Sequence, residues 1–309
     1  MFIFEKAPFP SCHASTLVEV GPGKLLAAWF GGKNEGAKDV QIWGSRFDGS
    51  KWSAPEVLGT ESGQPCWNPV LFKPKHGVLW LWYKAGPSPQ TWTGFARKSG
   101  DGGKTWSKPE MMPAGFYGPV RAKPILLKDG TLLAGTSVES HRCWTPFVDR
   151  STDDGRTWLR SNAYNAKDGH NQIQPTLFEA NDGRIVALMR SKNPRMVCRA
   201  ESKDGGKTFT PAEPTELPNP SAGIDAVKTK AGDVFLIYNP TPILRTPISL
   251  ARSTDDGKTW AKVVDLETEP GEYSYPAMIE TDDGKLAITY TWRRTHIKYA
   301  SADPAKYRK

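Results

Sequence analysis

The chain has 309 residues, with 41 Lys and Arg against 33 Asp and Glu, a formal net charge of +8 at pH 7 and 38% apolar residues. This composition excludes a disordered or fibrous chain, and no apolar run approaches the roughly 18 residues of a membrane span, so no membrane partner is expected. The modest basic excess suggests an anionic ligand, and without a basic helix or a recognised binding motif no nucleic-acid partner is expected.

The start, Met1-Phe2-Ile3-Phe4-Glu5, lacks the basic and long apolar regions of a secretory signal. A cytoplasmic protein is expected, or a secreted or periplasmic one with its export signal removed. Cys12, Cys66, Cys143 and Cys198 show neither metal-ligand spacing nor a dense disulfide pattern. Free thiols are the expectation, with a Cys12–Cys66 bridge as the alternative, and no cofactor or metal is expected. The chain is expected to be a monomer.

Along the chain, short apolar strands turn at a glycine and return. Val18-Glu19-Val20 leads through Gly23 into Leu25-Leu26-Ala27-Ala28-Trp29, and Val70-Leu71-Phe72 through Gly77 into Leu79-Trp80-Leu81-Trp82-Tyr83. Similar pairs turn at Gly130, Gly183, Gly232 and Gly284, so the six pivots lie 49 to 54 residues apart. A second motif repeats out of phase with the first. Ser99–Trp106, Ser151–Trp158, Ser202–Phe209 and Ser253–Trp260 share the pattern Ser-x-Asp-x-Gly-x-Thr-Trp/Phe, with starts 52, 51 and 51 apart. A looser copy, Ser45–Trp52, precedes them. Asp and Gly suit a tight turn, because the carboxylate accepts nearby backbone N–H groups and Gly supplies a positive φ. The motif reads as a folding staple rather than a site. Six hairpins, each followed by a third strand, an Asp turn and a fourth strand, predict an all-β, six-bladed β-propeller occupying residues 1–309 as a single domain. Phe2-Ile3-Phe4 is expected to pair with the last blade.

In a propeller the innermost strands line the axis and ligands meet their leading ends. Counting nine residues back from each pivot glycine gives Ala14 (beside His13), Asn68, Arg121, Gln174, Gly223 (near Asp225) and Tyr275. Most are polar, where a purely structural strand would carry Val or Ile. The second strands return to the same end and deliver Lys84, Glu139, Arg190, Arg245 and Arg293 or Arg294. Arginine suits bidentate capture of a carboxylate, so Arg190 and Arg245 point to a carboxylate-bearing ligand.

With these residues in place, the chain resembles the sialidase (neuraminidase) superfamily along its whole length. The repeated turns are similar to that family's Asp boxes. Gln174–Gly183 through Arg190 is similar to the segment ending in the second carboxylate-binding Arg, and Asn239–Arg245 to the segment holding the third. Glu272-Tyr273-Ser274-Tyr275 is similar to the segment with the nucleophilic Tyr, with Tyr275 in the better register and Tyr273 as fallback. Ser11-Cys12-His13-Ala14-Ser15-Thr16 resembles a sialidase-like subgroup.

The departures bear on mechanism. His13 stands where the family's Phe-Arg-Ile-Pro motif has its first Arg, and Gln174 where it has the Glu that activates the Tyr. Glu35 substitutes for the acid/base Asp, while Asp39 is expected to cap its loop. The resemblance implies hydrolysis of a terminal acidic sugar from an oligosaccharide or glycan. Tyr275, Glu35, His13 and Gln174 are then the catalytic set, and Arg190, Arg245, Arg121, Asn68, Asp225 and Arg293 bind substrate. Sialidases with a Tyr nucleophile are an exception to the paired-carboxylate rule. Two alternatives stay open: β-elimination at a uronic acid with His13 and Tyr275 as base and acid, and a non-catalytic glycan-binding propeller.

Overall fold

The computed structural model describes every residue except Lys75, His76, Asp168, His170 and Lys309. Its regular structure is almost entirely antiparallel sheet, in five four-stranded sheets and one three-stranded sheet, and the fold is a six-bladed β-propeller. Each sheet runs up and down in chain order. The inner strands of the blades are Ser11–Gly21, Cys66–Phe72, Ile125–Leu126, Gln172–Glu179, Asp225–Lys228 and Tyr273–Glu280. Five of the six pivot glycines have a φ between 66° and 95°, which a side chain would strain.

Two compact units can be distinguished. One is Met1–Gly118 with the segment from Tyr275 onward, and the other is Pro119–Ser274. In the first unit, Trp29, Leu25, Ala27, Phe4, Phe9 and Ile297 form one buried cluster, and Leu26, Ile42, Leu81, Tyr83 and Tyr275 belong to another. The N-terminal segment adds to the last strand, His296–Ala302, as the sequence suggested: Ile3 N–H donates to Ile297 O at 2.9 Å and Tyr299 N–H to Met1 O at 2.9 Å. This replaces the fourth strand expected for the last blade, which carries no Asp turn. In the second unit Leu188, Leu236, Ile224 and Val197 form one buried cluster, and Leu133, Val148, Met189 and Tyr164 belong to another. Fully burying each such aliphatic side chain stabilises by about 1.5–3 kcal/mol.

The Asp turns are the staples the sequence implied. Asp153 accepts from Thr157 N–H at 2.9 Å and from the Thr157 hydroxyl at 2.6 Å. The Ser151 hydroxyl donates to Asp153 at 2.8 Å and accepts from Gly155 N–H at 2.8 Å. Asp101, Asp204 and Asp255 repeat the pattern. The looser copy folds differently, with Asp48 capping Ser50 and Lys51 N–H at 2.8 and 2.9 Å while Ser45 bonds to Ser53 O. Each motif joins a third strand to a fourth, at the end of its blade away from the leading end of the inner strand.

Hydrogen bonds from Thr157 and Ser151 hold the Asp153 carboxyl down at about 2. A folded-state value below the unfolded one gives stability that is present above about pH 4 and is lost as pH falls toward about 2. Thermal midpoints between pH 6 and pH 2 are expected to fall steeply for the wild type. Asp153→Asn should start lower and show a shallower acid slope, and parallel slopes would contradict this role.

The second strand of the third blade, Leu132–Glu139, packs unusually close to the next inner strand. A Cβ on Gly135 would lie 2.1 Å from Pro175 O. Backbone cannot yield there, so Gly135→Ala is expected to cost about 3 kcal/mol in urea denaturation. Because Pro175 follows Gln174, the same change should disturb the candidate site.

Candidate active site

The positions counted back from the pivots have a common backbone feature. Ala14, Asn68, Gln174 and Tyr275 all have left-handed φ, at 57°, 41°, 58° and 51°. In three of the four strands the pairing register slips at that point, between His13 and Thr16, Trp67 and Val70, and Ile173 and Thr176. Each is a bulge that re-aims the side chain at the leading end of an inner strand. Left-handed φ in non-glycine residues is strained, and such strain clusters at ligand sites. The sequence signal is a residue before Pro or Ser at the head of an apolar strand. Arg121 lies just before its short inner strand rather than within it, and Gly223 likewise precedes Asp225.

In the first unit, His13 and Tyr275 meet. Their ring centroids are 4.1 Å apart at an interplanar angle of 48°. His13 is 1% exposed and Tyr275 9%. Thr291 fixes the imidazole: its hydroxyl lies 3.0 Å from His13 Nδ1 and accepts from Ala14 N–H at 3.1 Å. Phe30 stands edge-on to His13, and Trp67 edge-on to Phe30, giving an aromatic floor. Tyr273, the fallback nucleophile, lies in the second unit at 1% exposure with its carbonyl accepting from Asn239 Nδ2 at 2.8 Å.

Glu35 lies on an exposed loop of the first unit. Its carboxylate pairs with Arg294 Nη1 at 2.5 Å. Asp39 caps that loop, as expected, by accepting from Lys33 N–H at 3.0 Å. Gly36 lies against the Trp67 ring, which braces the loop from below. Of the two neighbouring arginines, Arg294 makes the contact to Glu35, while the guanidinium of Arg293 lies 4.8 Å from the Trp292 ring. Asn68 is buried.

Lys84 is fully buried opposite Trp67, at the register position that Arg190 holds in the fourth blade opposite Ile173. Burial pushes its ammonium down to about 7. Between about pH 7 and pH 10 the unfolded chain keeps a proton that the folded one has lost, so Lys84 makes stability rise with pH over that window. Lys84→Met should abolish the rise, read as thermal midpoints from pH 7 to 10.

In the second unit, Arg190 is 7% exposed, donates to Ser221 O at 2.6 Å and lies 5.5 Å from the Trp144 ring, which Lys192 also approaches at 5.4 Å. Arg245 pairs with Glu272 at 2.6 Å, and the Ser274 hydroxyl donates to the same carboxylate oxygen at 3.1 Å. Gln174 is 3% exposed, and its Oε1 has no hydrogen-bond partner among the described residues. A buried acceptor left unmade costs free energy until a donor arrives, so it suits a ligand hydroxyl or N–H. Asp225 is engaged by Lys123 Nζ at 3.0 Å and by the Thr176 hydroxyl at 2.8 Å. Arg121 is 1% exposed. Trp144, Lys192, Lys123 and Glu272 were not singled out as site residues, because a lone charge or aromatic at a strand end carries no repeat signal.

Among the described residues no group of three or more His, Cys, Asp or Glu is arranged to hold a metal ion. All four cysteines are free thiols. No helix among the described residues is long and apolar enough to cross a membrane.

Residues 23–288 match the family described as BNR repeat-like domain. The chain belongs to this family. It is a sialidase-like member of the wider superfamily, as its relatives show. A sialidase of Bacteroides fragilis is 28% identical over 222 residues, which is 65% of this chain and 40% of the relative. The chain therefore matches less than half the length of that curated relative. Among solved structures, a Dyadobacter fermentans protein of unknown function superposes with a TM-score of 0.83 at 19% identity, covering 98% of this chain and 97% of the other. The Hadza microbial sialidase Hz136 gives 0.80 at 20% identity, covering 96% and 66%. At these identities the structural likeness shows the fold.

Proposed function

We propose that the protein is a glycoside hydrolase that removes a terminal, carboxylate-bearing sugar from a glycan. The contact of Tyr275 with His13 carries this reading. A phenol is a poor nucleophile at neutral pH until a partner takes its proton. The family uses a Glu for that purpose, whereas Gln174 can only hydrogen-bond. An imidazole nitrogen can accept that proton, and Thr291 holds the His13 ring against Tyr275. In this scheme His13 relieves Tyr275 of its proton and Tyr275 attacks or stabilises the oxocarbenium-like centre. Arg190 and Arg245 hold the carboxylate, and Glu35 leaves Arg294 to give a proton to the departing oxygen. Water then attacks the anomeric carbon, its proton passing to Glu35 as Tyr275 leaves and regains its own from His13. Gln174 supplies an acceptor to a substrate hydroxyl or N–H. Arg121, Asn68 and Arg293 complete the binding set, and Asp225 acts from its network with Lys123 and Thr176.

The Glu35–Arg294 pair favours a second scheme, because elimination does not require Glu35 to give up its partner. A uronate whose carboxylate is neutralised by arginine loses its C5 proton to His13 while Tyr275 gives a proton to the departing oxygen, so that the C4–O bond breaks, a C4–C5 double bond forms and no water is consumed.

The test compares an acidic glycoside with its methyl ester. Turnover of the free acid with at least a tenfold loss on the ester is expected, and ultraviolet absorbance from a new conjugated double bond assigns elimination instead. Equal rates on acid and ester would overturn carboxylate recognition in both schemes.

A further inference from the structure

The loops that join second to third strands lie at the same end of each blade as the leading end of its inner strand. In the fifth blade this loop runs from the end of Val234–Tyr238 to the start of Ile248–Ser253, and it contains Arg245. Its tip, Pro242-Ile243-Leu244, is exposed, with Ile243 at 70% and Leu244 at 59%. Ile243 is the most exposed large hydrophobic residue among those described.

The tip is held in place. The Thr241 hydroxyl donates to Leu244 O at 2.7 Å and accepts from Leu244 N–H at 3.0 Å. Arg195, from the matching loop of the fourth blade, donates to Pro242 O at 3.1 Å. Asn239 Nδ2 closes the base by donating to Pro247 O at 2.9 Å. Pro240, Pro242 and Pro247 restrict the backbone further. Two adjacent aliphatic side chains are thus presented to water from a pinned backbone, with Arg245 next in the chain and Arg195 alongside. Mobile polar residues would serve a solvent loop better, and a fixed apolar pair marks a contact surface.

We infer that the Ile243–Leu244 tip is the surface that receives the group attached to the acidic sugar, and that this group is apolar: an alkyl, aryl or lipid aglycone. The inference rests on the proposed role of Arg245 in holding the sugar carboxylate. Charge complementarity selects the occupant, since the arginines take the anion and the two aliphatic side chains take the apolar portion of one amphipathic molecule. A wholly hydroxylated leaving group gains little from them.

The experiment uses Tyr275→Phe protein, which binds without turning over. It is titrated calorimetrically with the methyl and octyl glycosides of N-acetylneuraminic acid and of glucuronic acid, below the micellar concentration of the octyl compounds. The octyl glycoside of the recognised sugar should bind about tenfold tighter than the methyl glycoside. Adding Ile243→Ser and Leu244→Ser should bring the ratio to within about twofold while leaving methyl glycoside affinity unchanged. Equal affinities with the loop intact, or a ratio that the serines do not alter, would overturn the inference alone. Failure to bind any of the four would overturn the carboxylate reading and this inference with it. A concentration-dependent dimer in sedimentation, abolished by the serines, would assign the tip to a second copy of the chain.

Discussion

Replacing Tyr275 with Phe is expected to lower turnover by roughly two to four orders of magnitude while the fold is unchanged. Only the hydroxyl is removed. The ring still packs against His13 at 4.1 Å between centroids and still belongs to the buried cluster with Leu26, Ile42 and Tyr83. The left-handed backbone at Tyr275, φ 51°, is set by the strand and not by the hydroxyl. A thermal midpoint unchanged within about 2 °C would therefore accompany the loss. His13→Ala should also be severely damaging, but it opens a cavity beside Phe30 and so lowers stability as well. Full activity in Tyr275→Phe would remove the tyrosine from the chemistry.

The second large effect is expected at the arginines. Arg190→Ala with Arg245→Ala should lower kcat/KM on an acidic glycoside by about a hundredfold or more, because each removes charge-assisted hydrogen bonds to a carboxylate. The surroundings of the two differ. Arg190 is buried, with one arm on Ser221 O, so its guanidinium is held in one orientation. Arg245 is shared with Glu272 and must divide its donors between that carboxylate and the substrate's. Arg190→Ala alone should therefore carry most of the loss. On the methyl ester the double variant and the wild type should react at similar, low rates. A loss of the same size on acid and ester would mean the arginines act through structure rather than through the substrate carboxylate.

The propeller was legible because repetition multiplies weak signals. One Ser-x-Asp-x-Gly-x-Thr-Trp turn is unremarkable, but four at an even spacing, alternating with the six glycine pivots, leave few other architectures. The same counting placed Ala14, Asn68, Gln174 and Tyr275 at the heads of inner strands, and these four have the left-handed backbone. It worked less well where the blade departs from the repeat. Arg121 precedes an inner strand of only two residues, Ile125–Leu126, and the last blade is completed by the N-terminal segment. Partners distant in sequence stayed hidden altogether. Nothing in the sequence ties Lys123 to Asp225, Arg245 to Glu272 or Glu35 to Arg294, separations of 102, 27 and 259 residues. Lys84 was placed by the repeat at the position that Arg190 holds in its own blade, but its complete burial depends on the packing of the whole blade.

The most direct measurement is the mass of the products formed from a panel of sialylated and uronate-terminated oligosaccharides. A product pair summing to substrate plus water is the expected result, and it would direct attention to Tyr275, His13 and Glu35. A pair summing to the substrate alone would contradict hydrolysis and establish elimination. Unchanged oligosaccharides that nonetheless bind saturably would contradict catalysis of either kind and leave a glycan-binding propeller.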